Sequence, residues 1–542
     1  MIDLWYKTAQ IYSLDVETFC DANGDGVGDF RGLESKLDYL ASLNINCIWL
    51  LPFYPSPNRD NGYDVLDYYG VDNRLGTLGE FVSFTRQGRE RGIRILIDLV
   101  INHTSIDHRW FQQARRDPAS IYRQYYVWSD TRSPDADRGV VFTGQQQSTW
   151  TYDEAARAWY FHRFYAHQPD LNVANPRVRE EIARIMSFWL QLGVSGFRVD
   201  AVPFLIELRE IEAPDENPHD FLREFRRYLS WRQGDPVMLA EANITPAEVD
   251  DYFGAGDQLQ MVFNFLVNQQ LFLALATETA RPIAAAYAEL PPIPAVCHWA
   301  NFLRNHDELD LARLTDDERA VVFSSFAPDP AMRLFERGIR RRLAPMLDGD
   351  RRRLELAYSV MVTLPGAPVL WYGEEIGMGE SLDLKGRDSV RTPMQWSDSP
   401  NGGFSSAWPD RLIRPVLDRG PYDYQHVNVE AQRRDPDSLL SWLERALRVR
   451  RECREFGWGE VEFIDDGSPA VLVHRCRTDD TSVLILHNLS RTAQAVDVPL
   501  RPRRAAHDLL SNRFDPVAKG AVRLELAPYE YRWFRESHTE GT

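Results

Sequence analysis

Lysine is nearly missing from this chain: four of its 62 basic residues are Lys (Lys7, Lys36, Lys385 and Lys519) and the rest are Arg, a bias of coding composition rather than of chemistry. Cysteine is scarce too. Cys20, Cys47, Cys297, Cys453 and Cys476 are odd in number, widely separated and without any CxxC spacing. That speaks against a disulfide framework or a thiolate metal centre, and for buried free thiols in a reducing compartment. The 12 His residues fall in no zinc-ligand motif. No apolar run approaches the ~20 residues of a membrane span; residues 47–54 come nearest. Residues 1–10 show no basic stretch followed by an apolar run, so no export signal is expected and a cytoplasmic location is. Positive charge is outweighed: 62 basic against 80 acidic residues gives −18, which would repel phosphate backbones and anionic lipid. Neither nucleic acid nor a membrane is an expected partner. The sequence sets no oligomeric state and leaves room for a homo-oligomer.

At 542 residues the chain is long enough for several domains and a large core. Short apolar runs at 10–14, 47–51, 93–99, 196–200, 237–241, 261–265, 301–305 and 369–372 read as strands. Amphipathic stretches lie between them. At 175–192, Asn175 can cap, Pro176 suits the first helical position, and Val178, Ile182, Ile185, Met186 and Trp189 form one apolar stripe. Eight strands alternating with helices predict an α/β fold, a closed (β/α)₈ TIM barrel. Two segments break the rhythm. Residues 104–172 are rich in Tyr, Trp, Gln, Asp and Ser and read as a small domain inserted after the third strand. From residue 458 onward, strand-like runs at 461–464, 470–476, 482–486, 495–500 and 522–526 predict an antiparallel β-sandwich. The expected division is therefore barrel 1–103 and 173–457, inserted domain 104–172 and sandwich 458–542, with 537–542 a disordered tail. The basic runs 340–342 and 351–353 read as solvated faces paired with acids, and the aromatic run 159–165 as stacking walls or lid packing.

In Gly196-Phe197-Arg198-Val199-Asp200-Ala201, apolar and ionic residues alternate, so Arg198 and Asp200 share one strand face. A guanidinium beside a carboxylate keeps it ionised and available as a nucleophile. Glu241 ends the run Val237-Met238-Leu239-Ala240, and Asp307 follows residues 301–306. One strand-end acid alone is more often a helix cap or a surface ion pair. Three at the C-terminal ends of three strands can converge on one site. Two converging carboxylates suit glycoside chemistry, one attacking the anomeric carbon and the other protonating the leaving oxygen. The second acid needs a raised pKa, from partial burial and a neighbouring negative charge.

A further constellation is Asp21-Ala22-Asn23-Gly24-Asp25-Gly26-Val27-Gly28-Asp29. Oxygen groups at alternate positions suit a hard cation such as Ca²⁺. It is not a standard EF-hand, since the twelfth position is Gly32 rather than Glu and a strand precedes it. The alternative is an Asx-rich turn without metal.

Asp98-Leu99-Val100-Ile101-Asn102-His103, residues 196–200, 239–243 and 302–307 resemble the four hallmark regions of the α-amylase superfamily, in that family's order. Gln168-Pro169-Asp170-Leu171-Asn172 is similar to a fifth region, in the form seen in the oligo-1,6-glucosidase and trehalose synthase branch. The resemblance implies Asp200 as nucleophile, Glu241 as acid/base and Asp307 as stabiliser of the transition state. It implies a reacting-glucose subsite with His103, Gln168, Arg198 and His306, with Tyr63 stacking on the sugar. Asp64 and Arg391, in motifs like those of exo-acting relatives, would clamp the terminal glucose hydroxyls and restrict substrates to small α-glucosides such as maltose or trehalose. A structural Ca²⁺ on Asp21, Asn23, Asp25, Asp29 and the Val27 carbonyl is implied as well. Residues 337–345 and 364–379 look like the barrel end of trehalose synthases, implying maltose–trehalose interconversion through a covalent glucosyl-enzyme. The alternative is a hydrolytic α-glucosidase or α-amylase-type enzyme with the same triad. One stretch departs from the pattern: Leu205-Ile206-Glu207-Leu208-Arg209-Glu210-Ile211 stands where trehalose synthases usually carry Arg-Glu-Gly-Thr, implying a rebuilt leaving-glucose side.

Overall fold

The computed structural model describes residues 4–499, 505–516 and 521–537. Its centre is a closed barrel of eight parallel strands. In chain order they are β1 (Ile11–Leu14), β2 (Cys47–Leu50), β3 (Arg94–Leu99) and β4 (Gly196–Val199). The second half comprises β5 (Val237–Ala240), β6 (Met261–Phe263), β7 (His298–Phe302) and β8 (Ala367–Trp371). Each strand pairs with its sequence neighbour, and β8 closes on β1 through Ile11 opposite Val369. Nearly every strand residue is buried, as expected where helices cover the outside and side chains fill the inside.

All eight expected strands exist, but their ends are shifted. The seventh covers 298–302 rather than 301–305, because Arg304 leaves the ladder to donate from Nε to the Arg341 carbonyl (2.7 Å) and from Nη2 to the Asp307 carbonyl (2.7 Å). The sixth stops at Phe263, because the Asn264 side chain accepts from Val267 N (3.2 Å) and caps the helix Phe265–Thr277. The helix Pro176–Gln191 is capped by Asn175, whose side chain accepts from Arg177 N (3.0 Å). It buries the apolar stripe read from its sequence.

Between β3 and β4 the chain makes a three-stranded antiparallel sheet of Trp128–Ser129, Ala158–Phe161 and Trp150–Asp153. Phe111 meets Tyr126, Trp128 and Tyr160 with ring centroids 5.0, 5.3 and 5.1 Å away. Isolated bridges His103–Asp170 and Tyr126–Leu171 tie this segment back to the barrel mouth.

After the barrel, six antiparallel strands run in the order Glu460–Ile464, Val471–Arg477, Thr481–Asn488, Tyr531–Ser537, Ala505–Asp508 and Phe514–Pro516. Gln494–Pro499 and Ala521–Leu526 form a second, two-stranded sheet. The strands at 505–508, 514–516 and 531–537 have no counterpart in the sequence reading; the first two are only four and three residues long, and in the third Arg and Glu interrupt the apolar residues. Ser537 ends the last strand, whereas Leu500 and the expected tail 538–542 lie outside the described residues. Val471, Val473, Leu484, Leu486 and Phe534 face Val496, Val498 and Leu526 across the sandwich. The opposite face, with Leu472, Cys476, Val483, Ile485 and Trp533, joins the barrel's core.

The run 340–342 is no solvated face. Arg342 is fully buried against Glu374 (3.2 Å), Arg341 pairs with Glu380 (2.7 Å), and Arg340 Nη1 donates to the Leu384 carbonyl (2.8 Å). Arginine reaches carbonyls with the fork and carboxylates with the same donors, so it suits interior loop fastening. Arg351, Arg352 and Arg353 do pair with acids, namely Glu355, Asp350 and Asp348. All five cysteines are buried and unpaired. Among the described residues no helix is long and apolar enough to cross a membrane.

Trp533 joins sandwich to barrel: fully buried, it donates from Nε1 to Ser359 Oγ (2.8 Å) in the helix Arg351–Thr363 and packs edge-on against Phe456 (5.6 Å). Trp533→Ala is expected to destabilise the fold by about 3–5 kcal/mol, read as a lower denaturation midpoint. An unchanged midpoint would show that this contact contributes nothing.

Candidate active site

Arg198 is the hub of the barrel's C-terminal end. Its side chain points inward from β4 and is 1% exposed. Nη1 meets Asp98 of β3, its register neighbour, and lies 2.5 Å from Asp200 Oδ1; Nη2 lies 2.8 Å from Glu241 Oε2. Trp49 Nε1 donates to the far oxygen of Asp98 (3.1 Å), and the guanidinium stands 5.2 Å from the Trp49 ring. Asp98 has no role in the sequence reading, yet a signal was there: it is the one charge in the buried run 95–99. Just past β4 the backbone turns sharply at Ala201 (φ 51°), whose N–H donates to Glu241 Oε2 (3.3 Å). The helix Val202–Glu212 then begins with Pro203 in its first turn.

Asp307 joins from the loop after β7. Arg391 Nη2 lies 2.9 Å and Arg387 Nε 3.2 Å from its Oδ1, and His306 Nε2 lies 3.4 Å from Oδ2. Tyr63 stacks on His306 (5.8 Å, 10° between planes), with its hydroxyl 2.8 Å from His306 Nε2 and 3.3 Å from Asp98 Oδ2. His103 Nε2 lies 3.1 Å from the Tyr63 carbonyl. Asp200, Glu241 and Asp307 all line one cavity of about 340 Å³, together with Tyr63 and His103. That is near the lower end of the ~300–1,000 Å³ usual for small-molecule sites. Arg198 and His306 are buried behind its wall.

Asp64 and Arg391 are not among the residues that line the cavity. Asp64 is fully buried and organises its own loop, accepting from Ser56 Oγ (2.9 Å), Asp60 N (3.2 Å) and Arg59 N (3.2 Å), while Arg391 reaches Asp307 and the His306 carbonyl (2.8 Å). Loop N–H groups that need acceptors turn this carboxylate inward. The cavity instead receives Asp60, whose Oδ2 accepts from Gln168 Nε2 (2.7 Å), so Gln168 stands one residue back from the wall.

Of the remaining walls, Phe164 belongs to the run 159–165 read as stacking walls or lid packing, and the other residues have no role assigned from the sequence. Val141, Phe142 and Phe164 from the inserted segment roof the cavity, and Asn243, Glu308, Asp310, Arg337 and Arg387 close its outer side. Arg337 ties roof to barrel: Nη1 donates to the Val141 carbonyl (3.1 Å) and Nε lies 3.3 Å from Asp310 Oδ1. Phe142 packs on Phe335 (4.9 Å), and the Arg387 guanidinium stands over both rings (5.2 and 5.6 Å). Within the departing stretch 205–211, Glu207 pairs with Arg163 (2.7 Å) and Leu208 packs on Val127 and Phe161. That stretch therefore braces the inserted segment, while Pro203 and Phe204 before it line the cavity. Arg387 stands four residues before Arg391 and Arg337 opens the family-like stretch 337–345, but neither has a role of its own in the sequence reading, and Phe142 carries no local signal.

The acids titrate apart. Burial lifts Asp200 to about 6, with Arg198 pulling down and Asp98 and Asp307 adding to the rise. Burial lifts Glu241 to about 7, again against Arg198 and with Asp200 and Asp307 reinforcing it. Burial also pushes Asp307 upward, but Arg387, His306, Arg391 and Arg198 together bring it well below the usual carboxylate range. Burial holds His306 far below its ordinary value and His103 at about 3, so both imidazoles are neutral near pH 7. Near neutrality the cavity thus offers two ionised acids and one poised between its states.

The loop 21–29 follows β1, and none of its residues lines the cavity. Asp21 accepts from Asn23 N (3.0 Å), Gly24 N (2.7 Å), Gly26 N (2.8 Å) and Ser405 Oγ (2.6 Å). Asn23 Oδ1 accepts from Asp25 N, Asp25 Oδ1 from Val27 N, and Asp29 Oδ2 from Ala22 N, at 2.9, 2.9 and 3.0 Å. Gly26 needs its lack of Cβ: φ is +99°, and a Cβ would come within 2.1 Å of the Arg411 carbonyl. Among the described residues no three His, Cys, Asp or Glu side chains are gathered as a metal centre. The donor set is nevertheless all oxygen, as a hard cation requires, and Asn23 and Asp25 are exposed with lone pairs beyond those the turns use.

The family description "Alpha amylase, catalytic domain" matches residues 10–326 and 337–459, and "Maltogenic Amylase, C-terminal domain" matches 461–533. Phe335, which meets the roof, falls in the gap between the first two ranges. The chain is 42% identical to a trehalose synthase of Pimelobacter sp. (strain R48), over 99% of this chain and 97% of that one. It is 46% identical to the trehalose synthase/amylase TreS of Mycobacterium tuberculosis, over 92% and 84% of the two. Identity to a trehalose synthase of Thermus thermophilus is 45% over 98% of this chain, which spans 56% of that longer relative. Among solved structures, an α-amylase from H. orenii superposes with a TM-score of 0.79 at 27% identity, covering 98% of this chain and 100% of that one. The trehalulose synthase MutB superposes with a TM-score of 0.77 at 27% identity, with the same coverage. On these matches over nearly its whole length, the chain belongs to the α-amylase family of glycosidases, enzymes that act on α-glucosides.

Proposed function

We propose that the protein is a retaining α-glucosyl isomerase that interconverts maltose and trehalose through a covalent glucosyl-enzyme. The observation that carries this reading is the sharing of one guanidinium by Asp200 and Glu241 on the wall of a disaccharide-sized cavity. Retaining chemistry needs its two carboxyls close, at ~5–5.5 Å, with no room for an intervening water. Asp200 attacks C1; the C1–O bond breaks as Glu241 gives its proton to the departing glucosyl oxygen. The freed glucose turns in place, Glu241 takes the proton of its anomeric hydroxyl, and that oxygen displaces Asp200 from C1. Asp307, kept ionised by Arg387 and Arg391, accepts hydrogen bonds from the sugar as positive charge develops at C1. Water competes for the same intermediate, so isomerisation depends on a closed roof. The tie from Arg337 to Val141 and the packing of Phe142 on Phe335 support that closure.

NMR of the products from maltose, and separately from trehalose, tests this directly. Each disaccharide is expected to give the other, with free glucose a minor product; glucose alone would leave a plain hydrolase. Arg337→Ala is expected to raise the glucose share several-fold by loosening the roof, and an unchanged product ratio would remove the roof from the account.

The pH profile follows from the two catalytic acids. Asp200 must be ionised, so turnover rises as pH passes about 6; Glu241 must start protonated, so turnover falls above about 7. A narrow bell between these limits is expected, its two apparent values belonging to the coupled pair. Glu241→Gln should lower turnover by about 10²–10⁴-fold and abolish the alkaline limb. Retention of that limb would point to another proton donor.

Calcium in the loop 21–29 would be held by Asp21, Asn23, Asp25, Asp29 and the Val27 carbonyl. It would fix the turn after β1 and take no part in bond breaking. Exhaustive chelation is expected to lower the denaturation midpoint, and added Ca²⁺ to restore it. A midpoint indifferent to chelation would mean that the turn's own hydrogen bonds suffice. The five unpaired thiols support a reducing, cytoplasmic setting.

A further inference from the structure

A second pocket, of about 420 Å³, lies where the sandwich meets the helices Arg351–Thr363 and Leu439–Glu452, far from the three acids of the barrel mouth. We propose that it binds a phosphorylated sugar. The charge inventory of its wall points there. Every carboxylate in the wall is already partnered. Glu355 takes Arg351 (2.7 Å) and the Tyr531 hydroxyl (2.6 Å), Glu530 takes Arg532 and Ala527 N (2.7 Å each), and Asp508 takes Arg532 (3.1 Å) and Trp533 N (3.3 Å). Two of the wall's cations are not neutralised in this way. Arg445 gives one Nη1 hydrogen bond to the Pro436 carbonyl (3.0 Å), and among the described residues neither it nor Arg513 meets a carboxylate. Two guanidiniums with spare paired donors suit the tetrahedral oxygens of a phosphate. In a chain of net charge −18 the general field repels anions, so only a local concentration of Arg can hold one.

The aromatic wall narrows the class. Tyr529 adopts φ +60°, a left-handed backbone that bulky side chains rarely take, and is fastened there by its hydroxyl to Glu278 (3.3 Å) and its N–H to the Ser490 carbonyl (3.2 Å). That turn sets the phenol ring into the wall of the pocket, beside the edge-on pair Trp442 and Tyr531 (5.7 Å). Inorganic phosphate leaves such rings uncovered, and a neutral sugar brings no counter-charge for two unneutralised guanidiniums. A pyranose bearing one phosphate uses both.

Calorimetry on the full-length Asp200→Ala protein in excess trehalose, which fills the silent catalytic cavity, tests the site with α-D-glucose 1-phosphate, inorganic phosphate and glucose. Saturable binding of glucose 1-phosphate is expected, about tenfold or more tighter than that of phosphate, with glucose silent. Arg445→Gln and Arg513→Gln should each weaken it by about tenfold, while the same changes in the unaltered chain leave disaccharide turnover as it was, showing an intact fold. Three outcomes would each overturn the proposal: no saturable binding up to about 10 mM, equal affinity for inorganic phosphate, or undiminished binding by the double Arg variant.

Discussion

The catalytic end of this barrel depends on one buried cation. Arg198 faces Asp98, Asp200 and Glu241 together, contributed by three adjacent strands or their ends. Three carboxylates in so dry a space would repel one another strongly, and burying each without a partner would cost several kcal/mol. The guanidinium offsets this in part, and its planar fork sets where the acids sit. It does not abolish their mutual repulsion, which is why Asp200 and Glu241 remain raised. The same contacts therefore hold the strands' ends in register and prepare the acids for different tasks.

Asp307 has the opposite environment on the opposite wall. Two arginines, Arg387 and Arg391, approach one of its oxygens, and neither is shared with the Arg198 group. Chemically identical carboxylates at the ends of β4 and β7 are thus driven in contrary directions by the number of cations each sees. Tyr63 and His306 lie between the two groups as a rigid, neutral partition.

Much of this was legible in the sequence, for physical reasons that differ by residue. Period-two alternation places Arg198 and Asp200 on one face, and buried parallel strands announce themselves as apolar runs between turn residues. The strand ends were less legible, since side chains such as Asn264 and Arg304 decide them by finding partners distant in sequence. Asp64 and Asp60 look alike in sequence, and only the demand of loop N–H groups for acceptors turns one inward and leaves the other on the cavity wall. Arg342 resembles a surface residue until Glu374 is seen beside it. Phe142 and Arg337 belong to chain segments with no local reason to meet.

That last pairing has a consequence for how the wall is held. The hydrogen bond from Arg337 to Val141 joins residues 196 positions apart, both of them on the cavity wall. That part of the cavity wall is accordingly held by a handful of weak contacts between distant segments, and by no local structure of either one.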